Sequence, residues 1–345
     1  MSQETLQAQR FLRSLPLITL HLTERCNSRC VTCDYWRHGR EDMTLDSVSR
    51  LLPSLHELGT RAVLISGGEP LIHPQWAQIA QLLRDQGLQL WLLTSGLSLA
   101  KHATRAAELF QSITVSLDGT DRRMYAAIRG LDAFDKVCAG IRAAAVAGAS
   151  LSVRVTVQRE NYTALPAFVT LTRELGARQV SFLAADVRNS HAFGRMSGFN
   201  ADIALQASDL PGFEETLDRM EQDHAQDFSS GFIAESPLKL RRLLEYYRAL
   251  RGLGAFPPVR CNAPEFSAVI EATGRVNPCF FIAGAPHAIV ADDLGEVLNS
   301  EAMTALRGSI RAGRQAQCTA CVCSLWREPD DVSGLSLEPA RRATM

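Results

Sequence analysis

A chain of 345 residues with 46% hydrophobic and 21% charged side chains carries enough apolar material for a large buried core and for two domains. Its 36 Lys and Arg nearly cancel its 37 Asp and Glu, a formal charge of −1, so no net field draws it toward nucleic acid or an anionic membrane. The start, Met1 to Pro16, is polar and helix-like without an apolar run long enough for a signal peptide or a membrane span, so the expected location is cytoplasmic, where nine cysteines point to metal or catalysis rather than disulfides.

Residues 1–16 read as an N-terminal extension. From Leu17 to about Ala184, short β-branched or apolar runs alternate with longer amphipathic ones. Six strands are expected, at Leu17 to Leu22, Arg61 to Ser66, Leu88 to Thr94, Ser112 to Leu117, Ser152 to Val157 and Gln179 to Leu183. Thr44 is placed to cap a helix through Val48, Leu51, Leu52 and Leu55 to Gly59. The pattern is α/β, a partial (β/α)6 TIM-like barrel over 17–235, and chemistry in such folds gathers at the strands' C-terminal ends. Cys138 falls in an alanine-rich helical stretch, Val137 to Ala147, and reads as packing.

Past Ala185 comes a polar stretch with Asp186, Arg188, Asn189, His191 and Arg195, then helical patterning around Phe213 to Met220. Residues 236–258 read as a linker helix closed by Gly252, Gly254, Pro257 and Pro258. A small α+β domain over 259–327 holds five of the nine cysteines, and 328–345 reads as a flexible tail.

Directly after the first strand stands Cys26-Asn-Ser-Arg-Cys30-Val-Thr-Cys33. A structural zinc or a closed cluster takes four protein ligands, whereas three thiolates on a four-iron cluster leave one iron open to an exogenous ligand. A zinc site completed by His21 or His38 is the competing reading. With Ser66-Gly67-Gly68-Glu69-Pro70 at the second strand's end, the triplet resembles the radical S-adenosylmethionine (SAM) superfamily. The resemblance implies a [4Fe-4S] cluster on Cys26, Cys30 and Cys33, with the Gly67 to Pro70 segment receiving SAM's amino group through Glu69. Thr94-Ser95-Gly96 and Ser116-Leu-Asp118-Gly119 match further family strand ends and imply SAM contacts there, Ser116 near its ribose or carboxylate. Arg154 is a candidate partner for the SAM carboxylate, or a structural ion pair. Thr32 stands where the family usually has an aromatic residue, so Tyr35 and Trp36 are the candidates to cover adenine.

Downstream, Cys261, Cys279, Cys318, Cys321 and Cys323 resemble the auxiliary-cluster module of the SPASM and twitch groups, and Asp293-Leu-Gly-Glu-Val-Leu-Asn resembles its linking segment. Ser267 to Glu271 and Arg275 to Asn277 flank Thr273-Gly274 as a hairpin does. Cys261, Cys279, Cys318 and Cys321 would close a second [4Fe-4S] cluster, with Cys323 as a spare or alternative ligand and zinc as the competing metal.

The resemblance implies reductive SAM cleavage to a 5'-deoxyadenosyl radical, hydrogen abstraction from a substrate, and an electron donor of the flavodoxin or ferredoxin type. With only 25 residues ahead of Cys26, no leader-binding domain is expected there, which favours a small-molecule substrate in natural-product biosynthesis over a ribosomal peptide. The expected reaction is oxidation or decarboxylation, with the auxiliary cluster accepting an electron and Asp186, His191 or Arg195 accepting a proton. A non-catalytic electron carrier would have no use for the Gly67 to Pro70 segment.

Overall fold

Runs rich in Val, Ile and Leu suit pleated, fully covered strands, and the chain places them at regular intervals between amphipathic helices. In a computed structural model, which describes residues 11–195, 201–286 and 293–327, those runs become β1 (Leu17–Thr23), β2 (Ala62–Gly67), β3 (Gln89–Thr94), β4 (Ser112–Ser116), β5 (Leu151–Val157) and β6 (Gln179–Ala184). All five neighbouring pairs are parallel. The covering helices are α1 (Leu45–Glu57), α2 (Trp76–Asp85), α3 (Leu99–Leu109), α4 (Arg122–Arg129), α5 (Phe134–Val146) and α6 (Leu165–Glu174). Thr44 starts α1 as expected, its Oγ1 accepting from Ser47 N at 3.0 Å. Cys138 is buried on α5.

Two further helices, α7 (Leu210–Asp223) and α8 (Pro237–Leu250), complete the wall next to β6. The stretch expected to act as a linker helix is packed instead. Leu240, Leu244, Tyr246 and Tyr247 of α8 are buried, and Tyr247 Oη donates to the Val157 carbonyl at 2.5 Å while accepting from Ala185 N at 3.0 Å. An apolar face this continuous must be covered, and β6 covers it.

The expected hairpin forms as β7 (Ser267–Ile270) and β8 (Val276–Asn277), antiparallel to each other. The hairpin also joins the barrel's sheet, because β7 pairs in parallel with β1, Leu17 opposite Ser267 through Leu20 opposite Ile270. The sheet therefore has eight strands in the order β6-β5-β4-β3-β2-β1-β7-β8. Ala268 and Ile270 join the main core, so the pairing also buries apolar surface. Beyond it lie α9 (Leu294–Asn299) and α10 (Glu301–Arg311). Leu294 N donates to Ser54 Oγ of α1 at 3.1 Å, and Asn299 holds both the N–H and the carbonyl of Leu12, at 2.7 and 3.0 Å. Among the described residues no helix is long and apolar enough to cross a membrane. The expected tail at 328–345 lies outside them.

Candidate metal and cofactor site

The loop after β1 holds Cys26, Cys30 and Cys33, all half-buried, at the C-terminal edge of the sheet. Burial pushes the Cys26 and Cys33 thiols up to about 12. The loop therefore favours neutral thiols until a cation compensates the thiolate charge.

The end of β2 crosses this loop closely. Gly68 N donates to the Thr23 carbonyl at 2.7 Å and Glu69 N to the Arg25 carbonyl at 2.9 Å. A Cβ on Gly67 would lie 2.4 Å from the Thr23 oxygen and one on Gly68 2.2 Å from the Arg25 oxygen. The two glycines are thus required by the backbone of the cysteine loop itself, a reason that spacing alone did not reveal.

Glu69 is 0% exposed. Its carboxylate accepts from Leu71 N at 3.1 Å, Thr94 Oγ1 at 2.7 Å and Ser95 N at 2.6 Å, tying β2 to the end of β3. Pro70 opens the short turn that follows. Ser95 Oγ reaches Asn27 Oδ1 at 3.4 Å, and Asn27 Nδ2 reaches Ser98 at 3.2 Å, so β3's end is fastened to the cysteine loop as well. Glu69 is better described as the lock of this corner than as a free carboxylate awaiting an ammonium.

Ser116 and Arg154 are register partners on β4 and β5, and Arg154 Nε is buried without a hydrogen-bond partner. A buried, unsatisfied guanidinium nitrogen is costly. An anionic group such as the SAM carboxylate would satisfy it, which is how these residues fit SAM. Asp118 differs from expectation: it is buried in an ion pair with Arg129 at 2.8 Å and accepts from Thr156 N at 2.7 Å. Trp36 Nε1 is buried without a partner, and Arg37 lies over its ring at 4.2 Å.

Asp186 and Arg195, expected as proton acceptors, are a structural pair. Arg195 Nη1 lies 3.4 Å from Asp186 Oδ2, and its nitrogens donate to the carbonyls of Asn189, Asp186 and Thr32 at 2.7, 2.7 and 3.1 Å. Asp186 Oδ1 accepts from Arg188 N and Asn189 N. Their polarity is consumed in shaping the turn after β6. That turn straps the two cysteine regions together. On one side the Phe193 carbonyl accepts from Asp34 N at 2.9 Å and from Cys33 Sγ at 3.4 Å, and Phe193 holds a left-handed φ of 64°. On the other, Asn189 Nδ2 donates to the Phe281 carbonyl at 2.6 Å, two residues past Cys279.

Between the two regions lies a polar group that spacing did not reveal. His21 on β1 is 3% exposed, its Nδ1 3.4 Å from Tyr35 Oη and its Nε2 buried without a partner. Burial, with His191 nearby, lowers its pKa to about 4. His191 Nε2 faces Glu271 at 3.8 Å, and Phe280 closes the group, 5.7 Å from the His21 ring and 5.0 Å from Phe193. Tyr35 therefore points to His21 rather than standing free to cover a nucleobase.

The downstream cysteines are close enough to feel one another. Cys261 and Cys318 raise the pKa of Cys279, behind burial as the main cause that takes it to about 11, and Cys321 is raised by burial and by Cys323, Cys261 and Cys279. Cys323 is exposed.

Residues 20–171 match the model of the radical SAM superfamily, and residues 261–322 match the SPASM iron–sulfur cluster-binding domain. The probable GTP 3',8-cyclase of Methanopyrus kandleri is 30% identical over 224 residues, 62% of this chain and 69% of that protein. The chain belongs to the radical SAM superfamily. As a radical SAM protein with a SPASM domain it is an enzyme, with iron–sulfur clusters and SAM binding implied by its two domains. The AdoMet-dependent heme synthase of Methanosarcina barkeri is 31% identical over 168 residues, and the radical SAM chain spans about half of it, 48%. Among solved structures, Streptococcus suis SuiB bound to precursor peptide SuiA has a TM-score of 0.62 at 14% identity, covering 88% of this chain and 69% of that one. The structure of anSMEcpe with bound AdoMet and Cp18Cys peptide has a TM-score of 0.59 at 17% identity, covering 84% and 81%. These two likenesses show a shared fold.

Proposed function

We propose that this enzyme oxidises a small polar molecule, an alcohol or amine, held between the two cysteine regions. The observation that carries the reading is His21, whose Nε2 is buried and unpaired while its ring stands beside Tyr35 and Phe280, with the His191–Glu271 pair close by. A buried neutral imidazole with one free nitrogen suits an O–H or N–H of a substrate and can take its proton. His21 and His191 replace Asp186 and Arg195 as the candidate acceptors.

In this reading Cys26, Cys30 and Cys33 would hold a first [4Fe-4S] cluster, and Cys261, Cys279, Cys318 and Cys321 an auxiliary one that would take up the electron left on the substrate once its hydrogen and proton are gone. Among the described residues no three Cys, His, Asp or Glu side chains are gathered as a site for one metal ion. Thiolates on a single tetrahedral zinc stand only about 4 Å apart, given Zn–S bonds of about 2.3 Å. A four-iron cluster at each set of cysteines is the reading supported by the radical SAM and SPASM family matches. When bound there, the cluster and SAM would supply the radical chemistry that removes a substrate hydrogen. The chain's part is to orient SAM through Ser116 and Arg154, to hold the corner of the site through Glu69, and to keep water from the substrate with Phe193 and Phe280. The barrel over 17–235 and the cluster region over 259–327 divide these tasks, in a cytoplasmic enzyme served by a flavodoxin or ferredoxin-type donor.

Peptide maturation is a second reading, supported by the fold shared with SuiB, whose structure holds a precursor peptide. The test is anaerobic reconstitution followed by trials of C-deuterated polyols, aminocyclitols and candidate precursor peptides. The proposal expects about eight irons per chain from the three-plus-four thiolate count. It expects deuterium from a polyol or aminocyclitol in 5'-deoxyadenosine, together with a ketone or imine product. Transfer from peptides alone would move the assignment to maturation, and zinc at Cys318 and Cys321 would remove the auxiliary cluster.

A further inference from the structure

The C-terminal turn of α4 meets the first cysteine loop edge on. Arg29 N donates to the Arg129 carbonyl at 3.1 Å, Val31 N to the Ile128 carbonyl at 3.0 Å, and Ser28 Oγ to the Arg129 carbonyl at 3.3 Å. Loop amides thus satisfy carbonyls that a helix end leaves unpaired. The helix stops at Gly130, with φ 70°, where a Cβ would lie 2.3 Å from the Arg29 oxygen. No larger residue permits this docking.

The Arg129 side chain turns back toward the loop. It is 8% exposed, and its Nη1 lies 3.3 Å from Cys30 Sγ, which Ser28 Oγ also approaches at 3.2 Å. Its Nε lies 2.8 Å from Asp118 Oδ2, and Asp118 is itself anchored to β5 through Thr156 N. The order is therefore carboxylate, guanidinium, sulfur. The cation is in contact with the thiol, and the anion sits behind it.

We propose that Arg129, aimed by Asp118, is a positioning residue that donates a charged hydrogen bond to the Cys30 sulfur and raises the reduction potential of the cluster on Cys26, Cys30 and Cys33. The inference rests on the reading that these three cysteines hold that cluster. Reduction adds negative charge to the cluster and its thiolates. A cation in hydrogen-bond contact stabilises that charge, and in a buried place little water or salt screens it. Asp118 works in the opposite direction from farther away, while its ion pair with Nε at 2.8 Å holds the guanidinium beside the loop.

The experiment is an EPR-monitored redox titration of the anaerobically reconstituted holoenzyme, following the signal that SAM perturbs, with iron content measured on every sample. Asp118→Asn should raise the potential, since it removes the opposing anion and leaves Arg129 in place. Arg129→Gln should lower it by about tenfold in the reduction equilibrium, about 59 mV for a one-electron couple. Each single variant strands a buried charge, a carboxylate in Arg129→Gln and a guanidinium in Asp118→Asn, and is prone to misfold. The double variant Asp118→Asn/Arg129→Gln strands no charge; it should lie below wild type, because the cation it loses is nearer the sulfur than the anion, and about tenfold below Asp118→Asn. Full iron with unshifted potentials, or shifts of the same sign and size in Asp118→Asn and the double variant, would overturn the inference while leaving the cluster reading intact. Loss of the first cluster in the double variant but not in Asp118→Asn would also overturn it, making Arg129 a structural prop. Wild-type protein that binds no iron at Cys26, Cys30 and Cys33 would remove the cluster reading, and the inference with it.

Discussion

Single side chains here show how a residue's chemistry is spent by its surroundings. Glu69 spends both carboxylate oxygens on three donors from the ends of β2 and β3. Glu69→Gln would turn an amide N–H toward at least one of those donors, an unsatisfied buried contact that costs about 1–3 kcal/mol. Thermal denaturation should show that loss, and equilibrium dialysis a weaker grip on SAM, with iron content unchanged. Wild-type stability in this variant would mean that the lock contributes nothing. His21 makes a pH prediction. Burial first, and His191 second, lower its pKa from 6.5 to about 4; Tyr35 is in contact with it, and His191 is in turn paired with Glu271. Above 6.5 the imidazole is neutral in both folded and unfolded chains and contributes no pH dependence. As pH falls below 6.5 the unfolded chain takes up the proton and the fold does not, so stability is lost, by about 2 kcal/mol between pH 7 and pH 5. Anaerobic urea titrations at pH 7, 6 and 5 should show this slope, and His21→Gln should flatten it. An equal slope in the variant would place the titrating group elsewhere.

At the scale of elements, the six parallel strands were legible because β-branched runs and the helices between them repeat in sequence, and the structure places every one of them. The cysteine loop and the Gly67 to Pro70 segment were legible for the same reason, as short unbroken motifs at strand ends. What escaped is long-range. The local pattern of Ser267 to Glu271 shows a strand but not that its partner is β1, and nothing in the sequence around them shows that backbone N–H groups satisfy Asp186 and backbone carbonyls satisfy Arg195. The strap formed by 186–195 is such a long-range device. Asn189→Ala would leave the buried Phe281 carbonyl without its donor and free the strap from the hairpin, at a cost of about 1–3 kcal/mol. A chelator challenge of the loaded protein should then strip iron faster from both cysteine regions, since Phe193 holds the Cys33 end of the same strap. Faster loss at the downstream cysteines alone would show that the strap carries no strain between the two.

For the molecule as a whole, the eight-stranded sheet makes the barrel and the cysteine-rich C-terminal region one structural unit. A chain ended at residue 258 would lack β7 and bare the β1 edge, whose unpaired N–H and C=O groups invite another chain. Size-exclusion chromatography of that fragment should find aggregates. A well-behaved monomer that still binds iron at Cys26, Cys30 and Cys33 would show that the hairpin is dispensable to the barrel. The same pairing sets a timetable for biosynthesis. β7 leaves the ribosome long after β1, so at about 5–20 residues per second the β1 edge waits roughly 10–50 s for its neighbour. For that interval the nascent chain carries Cys26, Cys30 and Cys33 beside an open strand, and a holdase or an early iron delivery that covers this edge would decide how much protein reaches its finished form.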